Sequence, residues 1–63
     1  HDVVALLCDR LDQGLRRGWV GTLLTELEPG VWEVEFSDAK GRSVALAALR
    51  EADLLVLEME PAL

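Results

Sequence analysis

The six residues Val31-Trp32-Glu33-Val34-Glu35-Phe36 constrain this chain more than any other stretch. Trp32, Val34 and Phe36 alternate with Glu33 and Glu35, and successive side chains of a strand point to opposite faces. The segment therefore reads as a strand with one apolar and one acidic face. Pro29-Gly30 stands directly before it. Proline fixes φ and glycine accepts a positive φ, which suits the two central positions of a type II turn joining Trp19–Leu27 to Val31–Phe36. Asp38 to Gly41 can reverse the chain again, into Ser43–Ala48. A three-stranded meander is predicted from these residues alone.

The two ends admit two readings. Val4, Leu7, Cys8, Leu11 and Leu15 fall on one face of a helix behind a possible Asp2 cap, and Ala47-Ala48-Leu49-Arg50-Glu51-Ala52 is built of good helix formers. The competing reading takes Val3–Cys8 as a short apolar strand and Asp9–Gly18 as a long polar loop. Leu49–Asp53 is then one helical turn and Leu54–Met59 a last strand. Runs this short do not let periodicity decide between the two.

Length and charge exclude more than they assign. A chain of 63 residues is one small soluble domain, with little room for a substrate cavity once its core is filled. Six Lys and Arg stand against twelve Asp and Glu, a net charge of −6. The cations Arg10, Arg16, Arg17, Lys40, Arg42 and Arg50 are scattered, whereas a phosphate-binding surface needs them clustered. Neither nucleic acid nor an anionic membrane is expected as a partner. The single Cys8 forms no intrachain disulfide and no zinc or redox pair, which points weakly to the cytoplasm. No apolar run approaches the roughly 20 residues of a membrane span, and no signal peptide is read. Because the chain opens on His1 rather than Met, part of the N-terminus is expected to be missing, or His1 to be a remnant, and His1 is left out of the site reasoning.

The order Asp2-Val3-Val4-Ala5-Leu6, Gly14-Leu15, Gly18-Trp19-Val20-Gly21-Thr22, Trp32 to Phe36, Gly41 and Ala52-Asp53-Leu54 resembles a small bacterial family catalogued as domain of unknown function 4926. The resemblance covers nearly the whole chain, and its most specific parts are the Gly-x-Val-Gly-Thr step and the Val-Glu-Phe strand. It implies an all-β fold, a five-stranded SH3-like small barrel with a long first loop and a short helical turn before the last strand. It brings no function with it. Similar Gly-x-x-Gly steps occur in nucleic-acid-binding barrels of the KOW type, a reading that the acidic charge disfavours. The residues themselves fit a barrel, since Gly21 removes a side chain where a strand must bend and Gly18 permits a tight entry.

Enzymatic chemistry finds no support. Glu33 and Glu35 share one strand face at a spacing of about 7 Å, but a solvated face does not raise a carboxylate pKa for general-acid work. Asp9 and Asp12 lack the dense oxygen series of a calcium loop. Cys8 has no histidine partner and is expected to be a small core residue. Thr22, Thr25 and Ser43 have no base beside them, and Gly18-x-x-Gly21 has neither a following Lys nor a helix to aim at a phosphate. No catalytic residue, cofactor or metal is expected.

Binding is the remaining class. Val20 is expected to point inward, turning Trp19 outward, and an exposed Trp beside Arg16 and Arg17 is the chemistry enriched at interface hot spots. Trp32 shares a face with Val34 and Phe36 and is expected in the core. The strands Val3–Cys8 and Val44–Leu49 are apolar on both faces, and Leu54 and Val56 oppose Leu55 and Leu57, so a small barrel cannot bury all of them. Either a partner covers the surplus, or Leu11, Leu15 and Met59-Glu60-Pro61-Ala62-Leu63 fold over it. The sequence thus points to a non-enzymatic protein-interaction module that self-associates through open strand edges, with Trp19, Arg16 and Arg17 at one contact surface. The alternative is an acidic neutralising partner, an antitoxin or immunity protein, steered by its charge onto a basic toxin.

Overall fold

In the computed structural model, which describes residues 2–57, the chain is all-β. Five strands, β1 (Val3–Leu6), β2 (Val20–Glu28), β3 (Val31–Ser37), β4 (Ser43–Arg50) and β5 (Leu54–Leu57), form one antiparallel sheet in the order β4-β3-β2-β1-β5. Two single-turn 3-10 helices interrupt them, at Leu11–Gln13 in the long first loop and at Glu51–Asp53 before β5. The five strands, the long first loop and the short helical turn before the last strand are those expected.

The meander forms as its turn residues require. Gly30 has φ 82°, the positive value that a type II turn needs at its third position. Its carbonyl accepts from the N–H of Glu51 at 2.8 Å, which fastens the end of β4 to the turn. In the next turn the Asp38 carboxylate accepts from the N–H groups of Lys40 (2.8 Å) and Arg42 (3.0 Å) and from Arg42 Nε (3.0 Å). The strand β3 then carries the predicted alternation, with Val34 and Phe36 buried.

Helix propensity at the two ends is overridden by pairing. Val4 faces Gly21 on one side and Val56 on the other, so an N-terminal helix would leave both neighbouring strands without a ladder. Ala47, Ala48 and Leu49 lie opposite Val34, Glu33 and Trp32, and β4 continues to Arg50, two residues beyond the predicted end. The helical turn accordingly starts at Glu51 rather than Leu49. β1 ends at Leu6 rather than Cys8, because its last partner is Leu54 and the N–H of Leu7 already donates to Asp53, outside β5. Of the predicted last strand, Glu58 and Met59 lie outside the described residues, as does the proposed cover from Met59 to Leu63.

The core is one face of a single sheet curled over itself. Ala45, Phe36, Gly21, Val4 and Val56 lie side by side across all five strands, and the buried cluster takes in Val4, Leu6, Leu23, Val34, Phe36, Ala47 and Leu49. Closing the curl requires β2 and β3 to approach tightly at Gly21. A Cβ there would stand 2.7 Å from the Glu35 carbonyl oxygen and 2.9 Å from side-chain carbons of both Phe36 and Val34. Bulges in β2 between Leu23 and Thr25 and between Glu26 and Glu28 add the bend. Leu15, from the first loop, is the eighth core residue and fully buried. Of the two loop leucines that one reading folded over the outward apolar faces, Leu15 joins the core instead and Leu11 stays exposed.

Candidate functional site

The first loop is fastened at both ends, and that positions Trp19. Gly18 donates to the Leu6 carbonyl at 2.7 Å, and the Leu6 N–H donates to the Trp19 carbonyl at 2.9 Å, so the end of β1 clamps the entry into β2. Within the loop Arg10 and Leu15 exchange backbone hydrogen bonds at 2.9 Å, which turns Leu15 into the core. The Asp9 carboxylate accepts from the N–H of Arg17 at 2.8 Å. Arg16 and Arg17 are left exposed on the outside of this turn.

Val20 does not point inward. It faces Ala5, shares the outer face with Thr22, and is half exposed, while the inward position belongs to Gly21. Because Gly21 has no side chain, the end of the core is finished by the residue two places earlier on the same face. Trp19 leans onto Phe36 edge-to-face, with ring centroids 6.1 Å apart at 60°. It keeps 38% of its surface exposed because it sits at the open end of the barrel, not because it belongs to the outer face.

Trp19, Val20, Phe36 and Val44, with Ser37 and Asp38 at the rim, line a groove of about 420 Å³. Val44 and its strand neighbour Leu46 are both more than half exposed, so the apolar surface runs from the groove along β4. Sequence reasoning gathered Trp19, Arg16 and Arg17 as one contact surface. All three are exposed on the same segment, but the groove beside Trp19 is walled by Phe36, Val44 and Asp38 rather than by the two arginines. That Val44–Leu49 is apolar on both faces was legible, but which of its residues stay exposed follows from the face each takes in the assembled sheet, which no local pattern reports. Asp38 is held below its ordinary carboxylate pKa, chiefly by the hydrogen bond from the N–H of Arg42 and further by those from Lys40 N–H and Arg42 Nε, partly opposed by desolvation.

A second, smaller hollow of about 110 Å³ lies among Val4, Leu23, Trp32, Leu54 and Val56, with Asp2 and Glu51 at its mouth. Trp32 packs against the core as expected, though it remains half-buried, and Cys8 is half-buried and free rather than fully in the core. Leu7 and Asp9 beside Cys8 are exposed, so the chain has already left the barrel wall there. Glu33 and Glu35 stand on the outer face between Thr25 and Ala48 and between Thr22 and Leu46, half-buried by these neighbours rather than fully solvated. Asp12 pairs with Arg10 at 3.5 Å, and Asp53 meets Arg50 at 3.3 Å and Arg10 at 3.8 Å. Among the described residues no three His, Cys, Asp or Glu side chains are grouped to hold a metal ion, and no helix is long and apolar enough to cross a membrane.

No curated protein and no solved structure matches the chain. One family model does, that of a domain of unknown function, DUF4926, over residues 1–56. The match takes in the first loop, the Gly21 approach and every strand but the last residue of β5, and the chain belongs to this family.

Proposed function

We propose that this domain is a non-enzymatic protein-interaction module that associates with copies of itself, with Trp19, Arg16 and Arg17 at one contact surface. The observation that carries the reading is the apolar groove of Trp19, Val20, Phe36 and Val44, continued along β4 by exposed Leu46. So much contiguous apolar surface on so small a domain marks a docking area, and Trp beside Arg supplies the anchor and rim chemistry of interface hot spots. The net charge of −6 argues against nucleic acid or an anionic membrane as the partner, and the lone unpaired thiol favours the cytoplasm as its compartment.

Light scattering on the wild type beside Trp19→Ala tests the proposal. A defined oligomer that the substitution weakens supports it; a wild type that stays monomeric, or an oligomer indifferent to Trp19, refutes it. The acidic surplus favours a second reading, a neutralising partner of a basic protein. That reading requires association with a basic protein at a rate falling steeply with salt, and a rate indifferent to salt eliminates it.

A further inference from the structure

We infer that the self-association proposed above runs through the open edge of β4, as a two-fold antiparallel pairing of β4 with β4 of a second copy that places Ala47 on the axis. The inference rests on that reading and names its partner strand and register.

Among the described residues β4 pairs on one side only, with β3, and it is an eight-residue edge without Lys or Pro, the usual devices that blunt an edge. The backbone orientation of β4 follows from one hydrogen bond. The N–H of Glu51 donates to the Gly30 carbonyl at 2.8 Å while Val31 faces Arg50, which makes Val31 and Arg50 a non-hydrogen-bonded pair of the ladder. The pairing from Val31↔Arg50 to Phe36↔Ala45 is unbroken, so the two kinds of pair alternate. Ala45, Ala47 and Leu49 therefore bond to β3, whereas Leu46 and Ala48 aim both N–H and C=O at the open edge. The same even-numbered positions put the apolar Leu46 and Ala48 side chains on the exposed face.

Charge selects the occupant and the register. The β4 segment carries no carboxylate in a chain that has twelve, so a second copy laid along it brings no acidic side chain of β4 against another. A perpendicular two-fold axis requires facing residues to be of the same parity. Pairing Leu46 with Leu46 of the second copy would carry Arg50 past the start of the second copy's β4 to Arg42, and a slip of one further step would carry it to Lys40, both in the turn before β4. Either register therefore ends the ladder with Arg50 among cations of a turn that cannot pair with it as a strand. Leu46 opposite Ala48 of the second copy avoids both contacts. It pairs Ala45 to Leu49 within the unbroken stretch of β4 and brings Arg50 to the second copy's Val44, at the irregularity near the start of the strand.

Two measurements on the full chain decide this. In a Cys8→Ala background, chains carrying Leu46→Cys and chains carrying Ala48→Cys are oxidised separately and as an equal mixture. Facing residues of this kind lie about 5.5 Å apart at Cα, within disulfide reach, while identical positions are offset diagonally to about 7–8 Å. Disulfide-linked dimers in the mixture and not in either chain alone are expected; linkage of Leu46→Cys to itself, or none in the mixture, overturns the register. Second, Ala48→Pro removes an edge N–H that β3 does not use. It is expected to keep the wild-type far-ultraviolet spectrum while raising the dimer dissociation constant roughly tenfold, since each dimer loses two hydrogen bonds. A dimer that Ala48→Pro leaves as tight as wild type overturns the β4 inference while self-association stands, whereas a monomeric wild type overturns both.

Discussion

Replacing Gly21 by alanine tests the closure of the barrel with one methyl group. The added Cβ meets a backbone oxygen at 2.7 Å and two packed side-chain carbons at 2.9 Å, and the oxygen belongs to the ladder that joins β2 to β3. Neither strand can retreat without loosening that ladder, so the cost lies at about 2 kcal/mol, within the range of overpacked cores. A domain of this length is stabilised by only roughly 3–9 kcal/mol. At about 4–8 °C per kcal/mol for a small domain, the melting temperature should fall by roughly 8–16 °C. Thermal melting followed by far-ultraviolet circular dichroism and by the fluorescence of Trp19 and Trp32 reads the change. Gly30 is the internal comparison, because a Cβ there has nothing within 4 Å and only its φ of 82° is at stake. Gly30→Asn, whose side chain tolerates that conformation, should lose less than Gly30→Ala, whereas Gly21→Asn should be worse than Gly21→Ala. A Gly21→Ala protein melting within about 2 °C of wild type would refute the argument that close strand approach is what this glycine provides.

Two further substitutions probe the loops. Leu15→Ala should lose about 2–5 kcal/mol, enough to unfold part of the population at room temperature, while Leu11→Ala changes stability by less than about 0.5 kcal/mol; equal effects in urea titrations would show that the first loop is not part of the core. Asp38→Asn should lower the melting temperature at neutral pH. The pKa of Asp38 is depressed in the folded state, so its contribution is complete above the unfolded-state carboxylate pKa of about 3.9 and is lost as pH falls from there through the folded value. The difference between wild type and variant should therefore close in acid, and a difference that persists at the lowest pH would contradict the assignment.

The meander from β2 to β4 was legible because its signals are local. A Pro-Gly turn, the Trp32-x-Val34-x-Phe36 alternation and an Asp-to-Gly reversal each act over a few residues, and the structure realises all three within two residues of the predicted bounds. The ends were not legible in the same way. Val3–Leu6 and Ala47–Arg50 are strands because partner strands stand beside them, and helix propensity cannot report a partner. The candidate site divides along the same line. That Trp19, Arg16 and Arg17 lie exposed on one loop could be reasoned from residue type, but the direction of Trp19 could not. A strand's parity is set by its register against β1 and β3, and the expectation that Val20 turns inward slipped that parity by one residue.

The sequence by itself determined a small acidic domain built on the β2–β4 meander, with turns at Pro29-Gly30 and Asp38-Gly41 and a glycine where β2 must bend. These are consequences of φ preferences, alternation and charge, all carried by single residues and their neighbours. Only the tertiary structure decided that Leu15 completes the core while Leu11 does not, that Trp19 packs at the open end of the sheet against Phe36, and that, among the described residues, β4 pairs on one side only. Each of those depends on which strands meet across long stretches of chain, and burial and edge position are properties of the assembled sheet rather than of any segment in it.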